Sequence, residues 1–238
     1  MFIRLNKYLA SLGIASRRKI DNLISSGQIK VNKNTASLGQ KIDPSKDNIF
    51  INSKPISNYS PKYTYFILNK PQKVLTTTKD DRGRATVLDL VKTKNRLFPV
   101  GRLDYLSTGL VLLTNDGSLA NLITHPKYHL PKTYQVTTNT PISPKHLSKI
   151  RQGMTIQDQR LLPAKAIIKQ TKQNITVVEI TLYQGVKRQI RRMFESLGLN
   201  LLSLHRIAIG PINIGKLSPG NHRPLTKSEV GALKKSLN

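Results

Sequence analysis

The chain has 238 residues, 38% of them hydrophobic, which is enough for one large domain or for a large and a small one and argues against disorder throughout. Lys and Arg number 39 against 12 acidic residues, a formal charge of +27 that exceeds any need of solubility and has the sign that attracts polyphosphate. There is no cysteine, which excludes disulfides, Cys-ligated zinc and thiol nucleophiles, and apolar runs far below the roughly 18 residues of a membrane span argue against a membrane role. The N-terminal MFIRLNKYLASLG lacks a basic stretch followed by a continuous apolar one, so no signal peptide is expected and the compartment reads as cytoplasmic.

Residues 1–55 carry a pattern of their own. Leu5, Leu9 and Leu12 recur at helical spacing up to Gly13, and Ser16 caps a second helix whose apolar positions Ile20, Leu23 and Ile24 run to Gly27. Short strands are expected around Ile29–Val31 and Ile49–Ile51. Arg17, Arg18 and Lys19 open the second helix, and the many other bases face only Asp21, Asp43 and Asp47, which suits either a solvated helix face or one that contacts phosphate. The string RLNKYLASLGIASRRKIDNLISSGQIKVN resembles the S4 RNA-binding domain, a small α-L module, which implies RNA contact through Arg17, Arg18 and Lys19. Lys33 departs from that family, which usually has glycine after the Val-Asn pair.

The polar run at 53–61, SKPISNYSP, reads as an interdomain linker, and a second domain occupies 62–238. Tyr63–Leu68 is a strand by its aromatic and β-branched content, running into Asn69, Lys70 and Pro71. This LNKP stretch resembles the first motif of the RNA pseudouridine synthases, with Lys73 in place of the usual glycine two residues beyond the proline. The loop Thr76–Arg84 is charged, has no apolar anchor and is expected to be mobile. By resemblance it contacts substrate, with Arg82 and Arg84 on backbone phosphates and Lys70 also facing RNA. The TVLDLV segment around Asp89 is expected to be helical.

The most informative stretch is Arg96 to Gly117, RLFPVGRLDYLSTGLVLLTNDG. Leu110–Leu113 reads as a buried strand ending in a tight Asn-Asp-Gly turn. Gly101 and Gly109 bracket a turn that holds Asp104, Arg102 flanks the carboxylate, and Ser107 and Thr108 offer hydroxyls that can hold the loop. An Asp in such a turn is ordinarily there for local capping. The full string resembles the GRLDxxTxGLLLLTNDG motif of the pseudouridine synthases that modify ribosomal RNA, type A for the small subunit, type B for the large one. That resemblance makes Asp104 the catalytic residue and Arg102 an RNA contact. Leu106 and Ser107 stand where the family often has Asp and Thr.

Further on, Leu119–Ile123 is a short helix broken at His125-Pro126, and Lys132–Val136 is a strand carrying Tyr134. A strand tyrosine is usually core packing with a wet hydroxyl, but HPKYHLPKTYQV resembles the family's second motif strand, which would put Tyr134 in the active site. Leu147–Met154 is a helix, and Ala164–Lys169 and Ile175–Leu182 are antiparallel strands joined by a loop at Gln170–Asn174. Lys187–Leu197 reads as a helix with Ile190, Phe194 and Leu197 on one face and Lys187, Arg188, Arg191 and Arg192 near its start. QGVKRQIRRMFESLG resembles a further family motif, in which the Arg placed as Arg191 reaches the catalytic carboxylate and Arg188 and Arg192 fall among the RNA contacts; Gln184 replaces the usual Glu. The chain closes with a strand, a Pro-Gly turn and a helix capped at Thr226.

His125 and His129 have HxxxH spacing, but Pro126 opposes the helix that would align them and no acid lies nearby, so no metal site is expected. No GxxxxGK[ST] or GxGxxG phosphate loop is present, which argues against an NTPase, a kinase or a dinucleotide enzyme. The resemblance implies an α+β protein: an S4-like unit followed by a mainly antiparallel pseudouridine synthase domain that isomerises a uridine of ribosomal RNA without a cofactor. The large-subunit type fits best through RLFPVGRLD, THPKY and RRMFESLG. Small-subunit RNA, or an rRNA-binding assembly factor without catalysis, are the alternatives, and a monomer is expected.

Overall fold

The computed structural model describes residues 2–56 and 62–237, and the chain divides into two compact units, Met1–Thr64 and Tyr65–Asn238. In the smaller unit, β1 (Ile3–Arg4) leads into α1 (Leu5–Ser11) and α2 (Arg17–Ser25), followed by β2 (Ile29–Val31), β3 (Asn34–Thr35), β4 (Lys41–Ile42), β5 (Ile49–Ile51) and β6 (Lys54–Pro55). Leu5, Leu9 and Leu12 meet Ile20 and Ile24 and close over Ile29, Ile42 and Ile49, so the helical and strand periodicities converge on one core. Ser16 Oγ accepts from Lys19 N at 3.2 Å and starts α2 as its sequence requires, leaving Arg17, Arg18 and Lys19 exposed on the first turn. Lys33 needs no glycine, because the left-handed residue of its turn is Asn32 (φ 57°). The Asn32 amide donates to Asp47 at 3.0 Å, and its carbonyl oxygen accepts from Asn48 N at 2.9 Å.

The linker expectation needs correction at its start: Lys54–Pro55 pair with Phe50 and Ile51 as β6 and belong to the small unit's sheet, while 57–61 lie outside the described residues. The larger unit continues with β7 (Tyr65–Lys70), β8 (Phe98–Val100), β9 (Thr108–Thr114), α3 (Gly117–Thr124), β10 (Lys132–Thr138), α4 (Pro144–Gln152), β11 (Thr155–Ile156) and β12 (Gln159–Arg160). It ends with β13 (Lys165–Lys172), β14 (Ile175–Leu182), α5 (Gln189–Ser196), β15 (Leu201–Ile209), β16 (Ile212–Asn213), β17 (His222–Pro224) and α6 (Lys227–Lys235). One sheet runs in the order β13-β14-β10-β15-β9-β7-β17, with β8 added on β9 and β16 on β15. Its neighbours are antiparallel except for β9 and β15, which run parallel over His205–Thr108 and Arg206–Gly109. The unit is thus a mixed, mainly antiparallel α+β domain.

The apolar run of β9 is buried on both faces, which is why it does not alternate. Leu110 and Leu112 enter one cluster with Ile67, Val100 and Ile209, whereas Val111 and Leu113 enter another with Leu68, Val87 and Leu103. Several expectations yield to local hydrogen bonding. The Asn-Asp-Gly segment is no tight turn: Asp116 is the N-cap of α3, its Oδ1 accepting from Ser118 N and Leu119 N at 3.0 Å and its Oδ2 from Tyr65 OH at 2.8 Å. The TVLDLV segment is a series of turns, because Asp89 binds Thr86 N at 2.7 Å and competes with a helix. The hairpin loop between β13 and β14 shortens to Gln173 and Asn174, and α5 begins at Gln189 because Arg188 is left-handed (φ 54°). Among the described residues no helix is long and apolar enough to cross a membrane.

Candidate active site

Asp104 lies in the segment between β8 and β9, and that segment is held from several directions. Thr76 Oγ1 donates to Leu103 O at 2.9 Å and accepts from Leu103 N at 3.2 Å, Lys73 N donates to Tyr105 O at 2.9 Å, and Ser107 N donates to Asp104 O at 3.0 Å. Thr76 is buried at the start of the 76–84 loop, and within the loop Asp80 accepts from Arg82 N, Arg84 N and the Arg84 guanidinium, so hydroxyl and carboxylate contacts stand where apolar ones are missing. With its backbone fixed, the Asp104 side chain stays 35% exposed and lines a cavity of about 510 Å³.

Arg191, on the first turn of α5, approaches this carboxylate with Nε 3.9 Å from Oδ2, an ion pair longer than a hydrogen bond. Its Nη2 donates to Ser107 Oγ at 3.1 Å, and Ser107 is buried, so the hydroxyl three residues beyond Asp104 sets the guanidinium's place. Burial lowers the pKa of Arg191, the neighbouring charge of Arg188 lowers it further, and Asp104 opposes both. Tyr134, on β10, lines the same cavity, and the Arg206 guanidinium on β15 sits 6.0 Å from its ring centroid. Asp104, Tyr134 and Arg191, expected from separate motifs, are therefore brought close together by the β8–β9 segment, β10 and α5.

The expected RNA contacts divide. Arg102 and Arg188 are exposed and line the cavity, Arg82 is exposed on its loop, and Arg84 pairs with Asp80 at 2.8 Å. Two need correction. Lys70 is fully buried: its Nζ donates to Pro71 O at 2.9 Å and lies 3.5 Å from Tyr105 O, and burial brings its pKa down to about 8 against the opposing charge of Asp104. It supports the Asp104 turn from beneath and cannot reach a phosphate from there. Arg192 is a strut to the β11–β12 hairpin, donating to Ile156 O and Gln159 Oε1 at 3.1 Å each, because one residue beyond Arg191 the helix surface faces that hairpin.

Gln189, Lys132 and Arg206 line the cavity without having been singled out from sequence. Gln189 is inside the KRQIRR string but carries no charge to draw notice, and Arg206 lies on β15, a strand the sequence pattern does not announce because Ser203, His205 and Arg206 interrupt its apolar run. Gln184, the departure from the family's Glu, lines the cavity with its Nε2 buried and without a hydrogen-bond partner among the described residues. No group of three His, Asp or Glu side chains among the described residues could hold a metal ion.

A family model described as RNA pseudouridylate synthase matches residues 64–196, and an S4 domain model matches 3–48. An uncharacterized RNA pseudouridine synthase of Aquifex aeolicus is 41% identical over 100% of the chain and 96% of its own length. A ribosomal large subunit pseudouridine synthase B of Bacillus subtilis is 40% identical, covering 97% of the chain and 95% of itself. Among solved structures, a pseudouridylate synthase superposes with a TM-score of 0.71 at 31% identity, covering 97% of this chain and 99% of that one.

Proposed function

The chain belongs to the RNA pseudouridine synthase family, and from that premise we propose that it isomerises one uridine of large-subunit ribosomal RNA, with Asp104 as the reacting carboxylate, Arg191 as its partner and Tyr134 as the ring on which the base stacks. The observation that carries this reading is a half-exposed carboxylate that shares one cavity of about 510 Å³ with a tyrosine and has a guanidinium 3.9 Å from its oxygen. The name of the Bacillus subtilis relative supports the large-subunit target.

A uridine inside folded RNA is out of reach of a carboxylate in a cavity, so the target nucleotide is extruded at a cost of a few kcal/mol, roughly, which contacts to the RNA backbone offset. Exposed Arg102 and Arg188 at the cavity, and Arg17, Arg18 and Lys19 on α2, supply such contacts. At the flipped nucleoside the N1–C1′ bond breaks, the uracil turns over and C5 bonds to C1′; C5 gives up a proton and N1 takes one, so atoms and electrons balance without an oxidant. Asp104 acts on the nucleoside, and Arg191, fixed by Ser107, directs the carboxylate by its charge. The chain acts as a monomer in the cytoplasm.

The test is a map of pseudouridine in ribosomal RNA from cells with and without the gene. Loss of one large-subunit position is the expected result. Loss of a small-subunit position corrects the target, and an unchanged map returns the non-catalytic assembly factor to first place.

A further inference from the structure

Two buried side chains of the cavity have no task in the chemistry just described. Gln189, the first residue of α5, is 3% exposed, and neither end of its amide has a hydrogen-bond partner among the described residues. Arg206 is also 3% exposed: its Nε donates to Leu110 O at 2.7 Å, while its Nη2 is buried with no hydrogen-bond partner among the described residues. Both line the cavity with Asp104 and Tyr134. Unpaired buried polar groups cost free energy that a bonded ligand would return. The fold also makes special room for Arg206. A Cβ at position 109 would collide with the Arg206 backbone carbonyl, so only glycine, here at φ 104°, lets β9 and β15 approach in parallel.

We infer that Gln189 and Arg206 together read the Watson–Crick edge of the extruded uracil, the amide meeting N3–H and one carbonyl and Arg206 Nη2 meeting the other carbonyl. The inference rests on the pseudouridine-forming reading above. Uracil presents acceptor, donor, acceptor along O2, N3–H and O4; Arg206 Nη2, Gln189 Oε1 and Gln189 Nε2 offer donor, acceptor, donor. Cytosine presents acceptor, acceptor, donor, so two of its three groups meet their own kind, and a buried site that leaves polar groups unpaired rejects strongly. Depth separates these groups from the phosphate contacts: Arg102 and Arg188 are exposed, whereas Gln189 and Arg206 are buried where only the inserted base arrives.

The reaction gives this pattern a second use. Exchanging N1 for C5 at the ribose requires a half-turn of the ring about the line through N3 and C6. That half-turn also exchanges O2 with O4, so the edge reads acceptor, donor, acceptor before and after. The same three protein groups therefore hold the base in both orientations, keeping it in register while it is detached.

The test uses synthetic RNA spanning the mapped uridine, with 2-thiouridine, 4-thiouridine or N3-methyluridine at that single position, and single-turnover pseudouridine formation by the full-length protein. N3-methylation and at least one sulfur should slow the wild type roughly tenfold to a hundredfold, as loss of a hydrogen bond to a buried polar or charged group does. Gln189→Met and Arg206→Lys should slow the natural substrate comparably with RNA affinity changed less than about twofold, and a sulfur at the carbonyl whose protein partner is already gone should add nothing further. Losses that multiply between variant and analogue would overturn the assignment and leave Gln189 and Arg206 as packing residues. Should the variants fail to fold, the wild type alone decides: indifference to all three analogues sinks the inference. Failure of the functional reading looks different, because the wild type then makes no pseudouridine from natural RNA.

Discussion

The first turn of α2 and the start of α5 both carry basic clusters in nearly the same sequence dress, SRRKID and KRQIRRM, yet their physics is opposite. On α2, Arg17, Arg18 and Lys19 are exposed and backed by an apolar face whose Ile20 and Ile24 pack inward. At α5, Arg191 is largely withdrawn from solvent, tied to Ser107 and paired with Asp104, while Arg192 bonds a hairpin and Arg188 stays exposed ahead of the helix. Exposed bases interact with phosphate through a screened, sequence-blind field that supplies affinity; a guanidinium held by packing has one geometry and serves one partner. Charge count alone does not separate the two. Burial and partners do.

Breaking the buried side should abolish chemistry and spare affinity. Asp104→Asn keeps shape and loop hydrogen bonding but removes the charge, so tritium release from C5-labelled rRNA should fall by roughly three orders of magnitude or more while filter binding persists. Wild-type-like release would remove Asp104 from its role. Arg191→Lys keeps a charge but loses the planar fork that reaches Ser107 and Asp104 together, and turnover should fall roughly tenfold to a hundredfold with affinity nearly unchanged. Equal losses in both would make Arg191 a phosphate contact, and the contrast with α2 would collapse. On the exposed side, replacing Arg17, Arg18 and Lys19 by Ala should weaken binding and flatten its salt dependence by up to about 0.9 in slope for each phosphate no longer neutralised, leaving the turnover of saturated enzyme alone. A change in that turnover with an unaltered salt slope would contradict it.

How much of this was legible depends on what each residue answers to. Helix starts with a hydroxyl cap, at Ser16 and Thr226, and the doubly buried β9 follow from local chemistry and were readable. The Asp104 motif was legible only through its resemblance to the family string, because its glycines and hydroxyls by themselves suit a turn held by local capping. Lys70 was misread since nothing local tells a buried lysine from an exposed one; β7 buries it because the strand lies between β9 and β17 in the sheet. Gln189 and Arg206 were missed for the same reason: their meaning lies in unpaired atoms, and pairing is a property of the fold.

Lys70 offers a thermodynamic edge to the comparison. Its folded pKa, about 8, lies below the roughly 10.4 of an exposed lysine, so between those values the unfolded chain binds more protons than the folded one. Stability carried by this group must therefore rise with pH across that window and be flat below it. Measured by denaturant unfolding, the wild type should gain up to about 3 kcal/mol relative to Lys70→Met between pH 8 and 10.4. Parallel pH profiles would show that Lys70 is solvated, on the α2 side of the divide.

The smallest expected effect concerns Lys73, an exposed base that combines both regimes: solvated charge outside, constrained backbone beneath. Its φ of 61° is left-handed, and its N–H donates to Tyr105 O next to Asp104, so the strain is held where the turn must be fixed. Glycine relieves a left-handed cost of roughly 1–2 kcal/mol but releases more chain entropy on unfolding, leaving a net gain of about 0.5 kcal/mol and a Tm rise of roughly 1–2 °C. Lys73→Ala keeps the strain and serves as the control. If the lysine side chain also meets phosphate, Gly and Ala should weaken RNA binding equally while only Gly stabilises. A stability gain shared by both variants would instead trace the strain to the side chain's charge among its basic neighbours, and the backbone account of position 73 would fail.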